Sequence, residues 1–296
     1  MTDLTRPFVD ESRLGVSGRA VAACRAENRA ALVGYLPVGY PDVPGSIAAM
    51  VALTQGTSGR GVDAVEIGMP YSDPMMDGPA IQHADTRAIA RGVRTRDVFS
   101  AVEAVAATGT TPLVMIYYNL VEHYGARGRR TDPAGSVRAF ARDLVNAGGA
   151  GLITPDLTPD DATFWTLASD EFGLDRVYLV APSSTDERIA ETAAACRGWV
   201  YSTSVMGVTG ARSQISDAAP RLVERVRRLA PDLPVGVGLG ISNGAQAGRI
   251  GAFADLAIVG SALVKRLIVA EDAGGASLDG LRVLVDDLAA GVRTAR

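Results

Sequence analysis

The sequence predicts an α/β fold in which eight strands and their helices form one (β/α)8 TIM barrel. Eight short apolar runs, rich in β-branched residues, recur along the 296-residue chain. Each run is almost continuously apolar, as expected for strands that are buried on both faces of a parallel sheet. Segments with helical spacing separate the runs, and this alternation favours a barrel. A doubly wound sheet is the alternative, because it alternates strands and helices in the same way.

The predicted elements follow one another in a regular order. The strands are expected at Ala31–Leu36, Val62–Ile67, Pro112–Tyr117, Ala150–Thr154, Arg176–Val180, Trp199–Ser204, Pro234–Gly238 and Asp255–Val259. Helices are expected at Gly45–Ala52, Thr95–Ala107, 137–145, Thr158–Phe172, Thr185–Ala195, 222–229, Asn243–Ile250 and Ser261–Ala270, from apolar residues spaced i, i+3, i+4 and i+7. Residues 1–18 are mostly polar and are predicted to form an N-terminal arm, and residues 19–296 form the single catalytic domain.

Composition and the pattern of apolar residues argue against several partners and cellular locations. The chain has 29 basic and 33 acidic side chains, a net charge of −4, which argues against a nucleic acid or an anionic membrane as the main partner. No run of eighteen apolar residues occurs, so no membrane span is predicted. The polar start of the chain lacks the apolar core of a signal peptide, and two cysteines are too few for a disulfide framework. We therefore expect a cytoplasmic protein.

The scarce residue types narrow the chemistry further. There are two histidines, His83 and His123, and neither has a second histidine or cysteine at ligand spacing, so no metal site is predicted. A Schiff-base mechanism would have to use Lys265, the single lysine, which is expected on the side of a helix. Acid–base chemistry therefore falls to carboxylates, tyrosines or a histidine.

The strongest single signal is Glu66, inside the apolar run VDAVEIG. Side chains alternate across a strand, so if Val65 and Ile67 face the helices, Glu66 points into the barrel near its C-terminal mouth. A buried carboxyl there is suited to general acid–base catalysis with a raised pKa. A structural glutamate bonded to a neighbouring loop is the alternative.

The loop after the second strand, Gly68–Ala80, holds two further carboxylates. In a barrel this loop lies on the catalytic face. Asp73 precedes a proline and Asp77 precedes a glycine, so both residues also suit ordinary turns. A catalytic role and a turn-forming role are equally compatible with this pattern.

Glycine-rich loops follow the last three predicted strands, at Gly207–Arg212, Gly238–Ser242 and Gly260–Ser261. Glycines let the backbone approach a phosphate closely, and loops after strands seven and eight of a barrel often bind one. Together the three loops favour a phosphorylated substrate, although each alone is also typical of a tight turn. Tyrosines at strand ends would suit a flat apolar substrate, or else pack in the core: Tyr35, Tyr117, Tyr118 and Tyr201.

The motifs VEIGMPYSDPMMDGPAIQ, GVTGAR, VGLGIS and IVGSALVK, in this order, resemble the tryptophan synthase alpha chain family from about Ala31 to Leu267. The resemblance implies a barrel lyase that cleaves indole-3-glycerol phosphate to indole and glyceraldehyde 3-phosphate. Its catalytic carboxylates correspond to Glu66 and Asp77. Its phosphate-binding and indole-binding positions correspond to Thr209, Gly210, Gly240, Gly260 and Ser261, and to Tyr35, Met115, Tyr117 and Tyr201.

The resemblance also implies a partner, the pyridoxal-phosphate-containing beta chain, in an alpha2-beta2 assembly. The partner surface would include Asp73, Pro74 and Asn119, and this chain itself would hold no cofactor. Three features depart from the family pattern: Tyr40 in PVGYP, Val205 and Met206 before GVTG, and a long loop at Gly125–Gly135. The alternatives are a stand-alone lyase that releases free indole, a non-catalytic phosphate-binding barrel, and another sugar-phosphate aldolase or epimerase.

Overall fold

The computed structural model describes residue 8 and residues 10–295, except 75, 126–131, 204–217, 239 and 275–276. Within these residues every strand pairing of the single sheet is parallel, in the order β5-β4-β3-β2-β1-β9-β8-β7-β6. The strands are β1 Ala31–Pro37, β2 Ala64–Gly68, β3 Thr111–Met115, β4 Gly151–Ile153, β5 Asp175–Val177, β6 Leu179–Val180, β7 Val200–Thr203, β8 Val235–Gly238 and β9 Leu256–Val259.

The sheet closes through the fifth predicted strand. This strand is divided at Tyr178 into β5, which pairs with β4, and β6, which pairs with β7. Because one continuous stretch of chain bonds to both neighbours, the sheet forms a barrel, as predicted, and the doubly wound alternative is excluded.

Helices follow the strands and cover the outside of the barrel. The eight predicted helices are confirmed. Four of them have an N-terminal cap: the side chains of Asp42, Asp132, Thr185 and Asn243 each accept a backbone N–H of the first turn. The described α-helices are α1 Gly15–Ala26, α2 Val43–Gln55, α3 Pro79–Ala90, α4 Asp97–Ala106, α5 Tyr118–Glu122, α6 Pro133–Asn146, α7 Thr163–Phe172, α8 Asp186–Ala195, α9 Ala218–Leu229, α10 Gly244–Gly251, α11 Ser261–Asp272 and α12 Asp279–Arg293. Among the described helices, none is long and apolar enough to cross a membrane.

Helix α1, which the sequence analysis missed, covers the N-terminal end of the barrel. Its Val21 and Cys24 pack on the interior side chains of the strands. Its first turn is held by Asp175 of β5, whose carboxylate accepts the N–H groups of Val16 and Ser17 at 3.1 and 2.7 Å. The last four residues of the predicted arm, 15–18, thus belong to this helix; the domain boundary itself remains a prediction.

At the opposite end, two aromatic side chains extend over glycines of neighbouring strands. A Cβ atom at Gly68 of β2 would lie 2.4 Å from the hydroxyl oxygen of Tyr35, and one at Gly238 of β8 would lie 2.2 Å from that of Tyr201. Both distances are far below van der Waals contact, so only glycine leaves space for the two rings. The interior at the C-terminal mouth is therefore lined by tyrosines.

Candidate active site

Glu66 lies in the middle of β2, on the face that points into the barrel. The parallel register places it beside Tyr35 of β1 and Leu113 of β3. The residue is 1% exposed, and its Oε2 atom has no hydrogen-bond partner among the described residues. Burial, reinforced by the nearby charge of Asp77, raises the pKa of Glu66 to about 8. The carboxyl is therefore protonated at neutral pH, as expected of a general acid.

Asp77 lies at the end of the β2–α3 loop, directly before Gly78, the N-cap of α3. It is half-buried, and its backbone carbonyl accepts a hydrogen bond of 2.8 Å from the Gln82 side-chain amide. Burial raises the pKa of Asp77 to about 6. The two carboxyls are thus in different states at pH 7, with Glu66 neutral and Asp77 charged. Paired carboxyls with separated pKa values are typical of acid–base sites.

The predicted aromatic residues lie around these carboxyls. Burial and the charges of Asp77 and Glu66 raise the pKa of the Tyr201 hydroxyl well above its usual value, and the Tyr35 hydroxyl is affected in the same way, with Asp85 as the leading charge. Met115 ends β3, and both it and Tyr201 pack against the cluster of interior side chains.

Tyr117 precedes α5, and Tyr71 of the β2–α3 loop stacks on its ring at a centroid distance of 4.2 Å. The sequence analysis missed Tyr71, because contact between two loops leaves no periodic pattern. The four predicted ring-binding residues therefore all lie at the mouth of the barrel, where β1, β3 and β7 end.

The described part of the predicted phosphate site centres on the N-terminus of α11. Gly260 is the N-cap, and the first intrahelical donors are the N–H groups of Leu263 and Val264. The N–H groups of Ser261 and Ala262 precede them and thus have no carbonyl acceptor within the helix. A phosphate is favoured at such a terminus by the helix dipole.

The other helix near the predicted phosphate site, α10, has its first turn occupied. The Gly244 N–H donates to Asp287 at 2.7 Å, and the Gln246 N–H donates to Asn243 at 2.9 Å. Gly240, in the loop before α10, has a φ of 46°, a left-handed conformation that favours glycine. Thr209 and Gly210, with Val205 and Met206, lie outside the described residues.

Asp85 is a third carboxyl of this region that the sequence analysis missed. It lies on the buried stripe of α3, with Ile81, Ala84 and Ala88, and is 3% exposed. A charged residue within an apolar stripe of helical spacing was the signal that could have identified it. Burial and the charge of Asp77 raise the pKa of Asp85 to about 8.

Metal-dependent and Schiff-base chemistry have less support in the described residues. They contain no group of three or more histidine, cysteine, aspartate or glutamate side chains that could hold a metal ion. Lys265 is exposed on α11, as predicted, away from the strand ends. Two of the departures from the family pattern can be placed. Tyr40 donates a hydrogen bond of 2.5 Å to Glu271 of α11. In the long loop Gly125–Gly135, residues 126–131 lie outside the described part.

Comparison with known proteins agrees with this arrangement. A family model described as tryptophan synthase alpha chain matches residues 21–293. The chain belongs to this family. It is 54% identical over 285 residues to the tryptophan synthase alpha chain of Mycobacterium avium, which covers 96% of this chain and 97% of the relative. A structure of Mycobacterium tuberculosis tryptophan synthase superposes with a TM-score of 0.83 at 53% identity, covering 94% of this chain and 98% of the other.

A more distant member of the tryptophan synthase group has the same fold. A chain from a structure of the a2b2 complex of Pyrococcus furiosus superposes with a TM-score of 0.74 at 29% identity, covering 88% of this chain and 98% of the other. As a tryptophan synthase alpha chain, the protein is a lyase that cleaves indole-3-glycerol phosphate, a step of tryptophan biosynthesis. The predicted family, fold and reaction are confirmed, whereas the roles of individual residues remain predictions.

The burial of Glu66 has a cost that stability measurements can detect. Its pKa is raised from 4.5 to about 8 by folding. Between these pH values the native chain retains a proton that the unfolded chain has lost, so the free energy of unfolding falls as the pH rises. We expect Glu66→Gln to remove this dependence and to gain stability over the wild type by roughly 1 kcal/mol per pH unit between pH 5 and 8.

Urea denaturation at several pH values measures this difference, with Glu103→Gln, an exposed glutamate of α4, as the matched control. The control should follow the wild type at every pH. A stability difference for Glu66→Gln that stays constant with pH would contradict the raised pKa.

Proposed function

We propose that Glu66 and Asp77 share the acid–base work of the lyase reaction. The observation that carries this proposal is the separation of their pKa values, to about 8 and about 6 respectively, within one buried region. Protonated Glu66 donates its proton to C3 of the indole ring, and the positive charge that develops at the ring nitrogen is stabilised by ionised Asp77.

The bond between C3 and the side chain then breaks in a retro-aldol step. Glu66, now ionised, accepts the proton of the side-chain hydroxyl, whose carbon becomes the aldehyde of glyceraldehyde 3-phosphate. The electrons of the broken bond return to the ring and restore aromatic indole with its new hydrogen at C3. Glu66 ends the cycle protonated, and no metal or covalent intermediate is required for the proton balance.

Binding of the substrate is divided between two parts of the site. The phosphate is assigned to the first turn of α11, through Gly260 and Ser261, with Gly240 and the predicted Thr209 and Gly210. The indole ring is assigned to the space between Tyr35, Met115, Tyr117 and Tyr201. Gly260 connects the two parts, because a Cβ atom there would lie only 3.3 Å from the ring of Tyr35.

Substitution of the two carboxyls tests the acid–base assignment. We expect Glu66→Gln to lower kcat by ~10²–10⁴-fold, because the amide keeps the shape but transfers no proton. In the wild type, kcat/KM should fall below about pH 6, as Asp77 is protonated, and above about pH 8, as Glu66 loses its proton. Asp77→Asn should abolish the acidic limb.

Initial rates of indole release from pH 5 to 9 provide the measurement, with Glu103→Gln as the control. Turnover of Glu66→Gln within a few-fold of the wild type would refute the role of Glu66. Persistence of the acidic limb in Asp77→Asn would refute that of Asp77.

A negative charge at the α11 N-terminus tests the phosphate assignment. We expect Ser261→Asp to raise KM by ten-fold or more, since a charge-assisted hydrogen bond is worth roughly 1.5–3 kcal/mol. Inorganic phosphate should compete with the substrate in the wild type and much less in the variant. Ser100→Asp on the exposed face of α4 is the control. An unchanged KM for Ser261→Asp would place the phosphate elsewhere.

We infer that the lyase works with a pyridoxal-phosphate-containing beta chain in an alpha2-beta2 assembly. Support comes from the Pyrococcus furiosus structure, whose description names mutual activation of an a2b2 complex. Asp73 and Asn119 are exposed, and Pro74 is half-exposed. The Asn119 amide donates a hydrogen bond of 2.9 Å to the Tyr71 hydroxyl, which connects α5 to the loop after β2. A partner on this surface would contact the loop that ends in Asp77. We also propose a cytoplasmic location, consistent with Cys24 and Cys196 as unpaired buried thiols.

Titration with the cognate beta chain tests the partner surface. We expect indole production to rise strongly with added beta chain, and to rise much less for Asp73→Ala, because the partner would then lack a contact on the catalytic loop. Asp170→Ala, at the end of α7 and hence at the opposite end of the barrel, should be activated like the wild type. Absence of activation in the wild type would favour the stand-alone lyase, and equal activation of both aspartate variants would place the contact elsewhere.

A further inference from the structure

The loop between β2 and α3, near whose end Asp77 lies, is attached to the barrel at its start and at its end. At its start, the Met69 N–H donates a hydrogen bond of 2.9 Å to the carbonyl of Met115 in β3. At its end, the side-chain amide of Gln82 donates to the Asp77 carbonyl at 2.8 Å. Neither contact holds the middle of the loop, so the position of the Asp77 side chain also depends on what the intervening residues contact.

Tyr71, in this intervening stretch, makes two contacts with the segment that follows β3. Its ring stacks on that of Tyr117, the N-cap of α5, with a centroid distance of 4.2 Å and an interplanar angle of 16°. Its hydroxyl accepts a hydrogen bond of 2.9 Å from the side-chain amide of Asn119 in α5. Stacking sets the plane of the ring but permits it to slide, whereas the hydrogen bond fixes the far end of the ring. Together the two contacts define one position for Tyr71.

Helix α5, which receives Tyr71, is itself fixed to the barrel. Asp156, which follows β4, accepts the Tyr118 N–H in the first turn of α5, with both carboxylate oxygens at 3.0 Å. The side chains of Tyr118 and Val121 are buried. Because α5 is held in this way at its start and along one side, it provides a firm support for a loop that docks on it.

The residues between Tyr71 and Asp77 carry this position along the loop. Pro70 precedes Tyr71, Pro74 lies midway, and Pro79 is the first residue of α3. Each proline fixes its own φ and restricts the residue before it, so the loop has fewer backbone conformations than its length suggests. Fixing Tyr71 therefore narrows the range of positions open to Asp77.

We propose that Tyr71 is a positioning residue of the lyase: docked on Tyr117 and Asn119, it fixes the β2–α3 loop so that the Asp77 carboxyl lies at the ring nitrogen of the substrate. This inference rests on the role proposed above for Asp77. A residue that only covered the Tyr117 ring would not need a hydroxyl group. The bond between that hydroxyl and Asn119 is therefore the contact whose loss distinguishes positioning from simple packing.

The first test removes the two partners of this hydrogen bond separately and together, in the full chain without beta chain. We expect Tyr71→Phe and Asn119→Ala each to lower kcat by roughly two- to ten-fold, the factor that one hydrogen bond between uncharged groups is worth. KM should change by less than about two-fold, because the proposed phosphate contacts are retained. The double variant should lose no more than the larger single loss, since both substitutions remove the same bond.

Tyr124→Phe is the matched control. It also removes a tyrosine hydroxyl bond, that of 2.8 Å to Asp143, but at the far end of α5 and toward α6. This variant should keep the kcat of the wild type. Wild-type kcat in both Tyr71→Phe and Asn119→Ala, or additive losses in their double variant, would overturn the proposal.

Tyr71→Leu, which removes the stacking as well as the hydrogen bond, tests the position of the loop itself. Hydrogen–deuterium exchange over residues 69–78, measured by mass spectrometry, should be faster than in the wild type. The acidic limb of kcat/KM should move to lower pH, because burial raises the pKa of Asp77 to about 6 and a loosened loop exposes this carboxyl. Urea denaturation checks folding, and Tyr71→Phe remains informative if the leucine variant is unstable. Unchanged exchange and an unchanged acidic limb in a folded Tyr71→Leu would contradict the positioning role.

Asp77→Asn, alone and combined with Tyr71→Phe, separates this inference from the proposed role of Asp77. We expect Tyr71→Phe to cause no further loss of kcat in the Asp77→Asn background, because its effect passes through the Asp77 carboxyl. If Asp77→Asn alone retains full kcat, the catalytic assignment fails and the positioning role fails with it. If Asp77→Asn loses kcat but Tyr71→Phe has no effect, or adds its loss in full, the catalytic assignment stands and only the positioning role fails.

Discussion

The burial of one carboxyl group, that of Glu66, is the constraint on which the rest of the site depends. Water would hold this group ionised at neutral pH, and only the dry interior of the barrel keeps its proton in place. Strand β2 provides that environment, because its register fixes Glu66 between Tyr35 and Leu113. Burying this acid costs stability, but it leaves a group that can both donate and accept a proton near pH 7.

The two ends of the barrel contribute differently to this arrangement. At the N-terminal end, α1 packs on the interior and Asp175 holds its first turn with two backbone hydrogen bonds. At the C-terminal end, the N–H group of Ser261 lies in the first turn of α11 and has no carbonyl acceptor within that helix. The N-terminal end is therefore closed by packing and hydrogen bonds, whereas the C-terminal end, where we propose that the substrate binds, keeps polar groups available.

Sequence reasoning reached the parts of the molecule that periodicity encodes. Strands buried on both faces appear as continuous apolar runs, and alternation along VDAVEIG placed Glu66 inside the barrel. Helix α1 was missed because its buried side includes Gly15, Ser17 and Gly18, which carry no apolar signal. The stacking of Tyr71 on Tyr117 was missed since it depends on how two separate segments of the chain pack together. The occupied N-terminus of α10 depends on Asp287, more than forty residues away, and no local pattern encodes such a contact.

At the ends of β2 and β8 the lyase depends on two glycines because they have no side chain. The hydroxyls of Tyr35 and Tyr201 occupy the space that a Cβ atom at Gly68 or Gly238 would need. A single methyl group at either position would displace one of these two rings, both of which belong to the proposed indole site. On the proposed assignment of the indole site, two residues that have no side chain at all therefore limit the size of the ring that the site accepts.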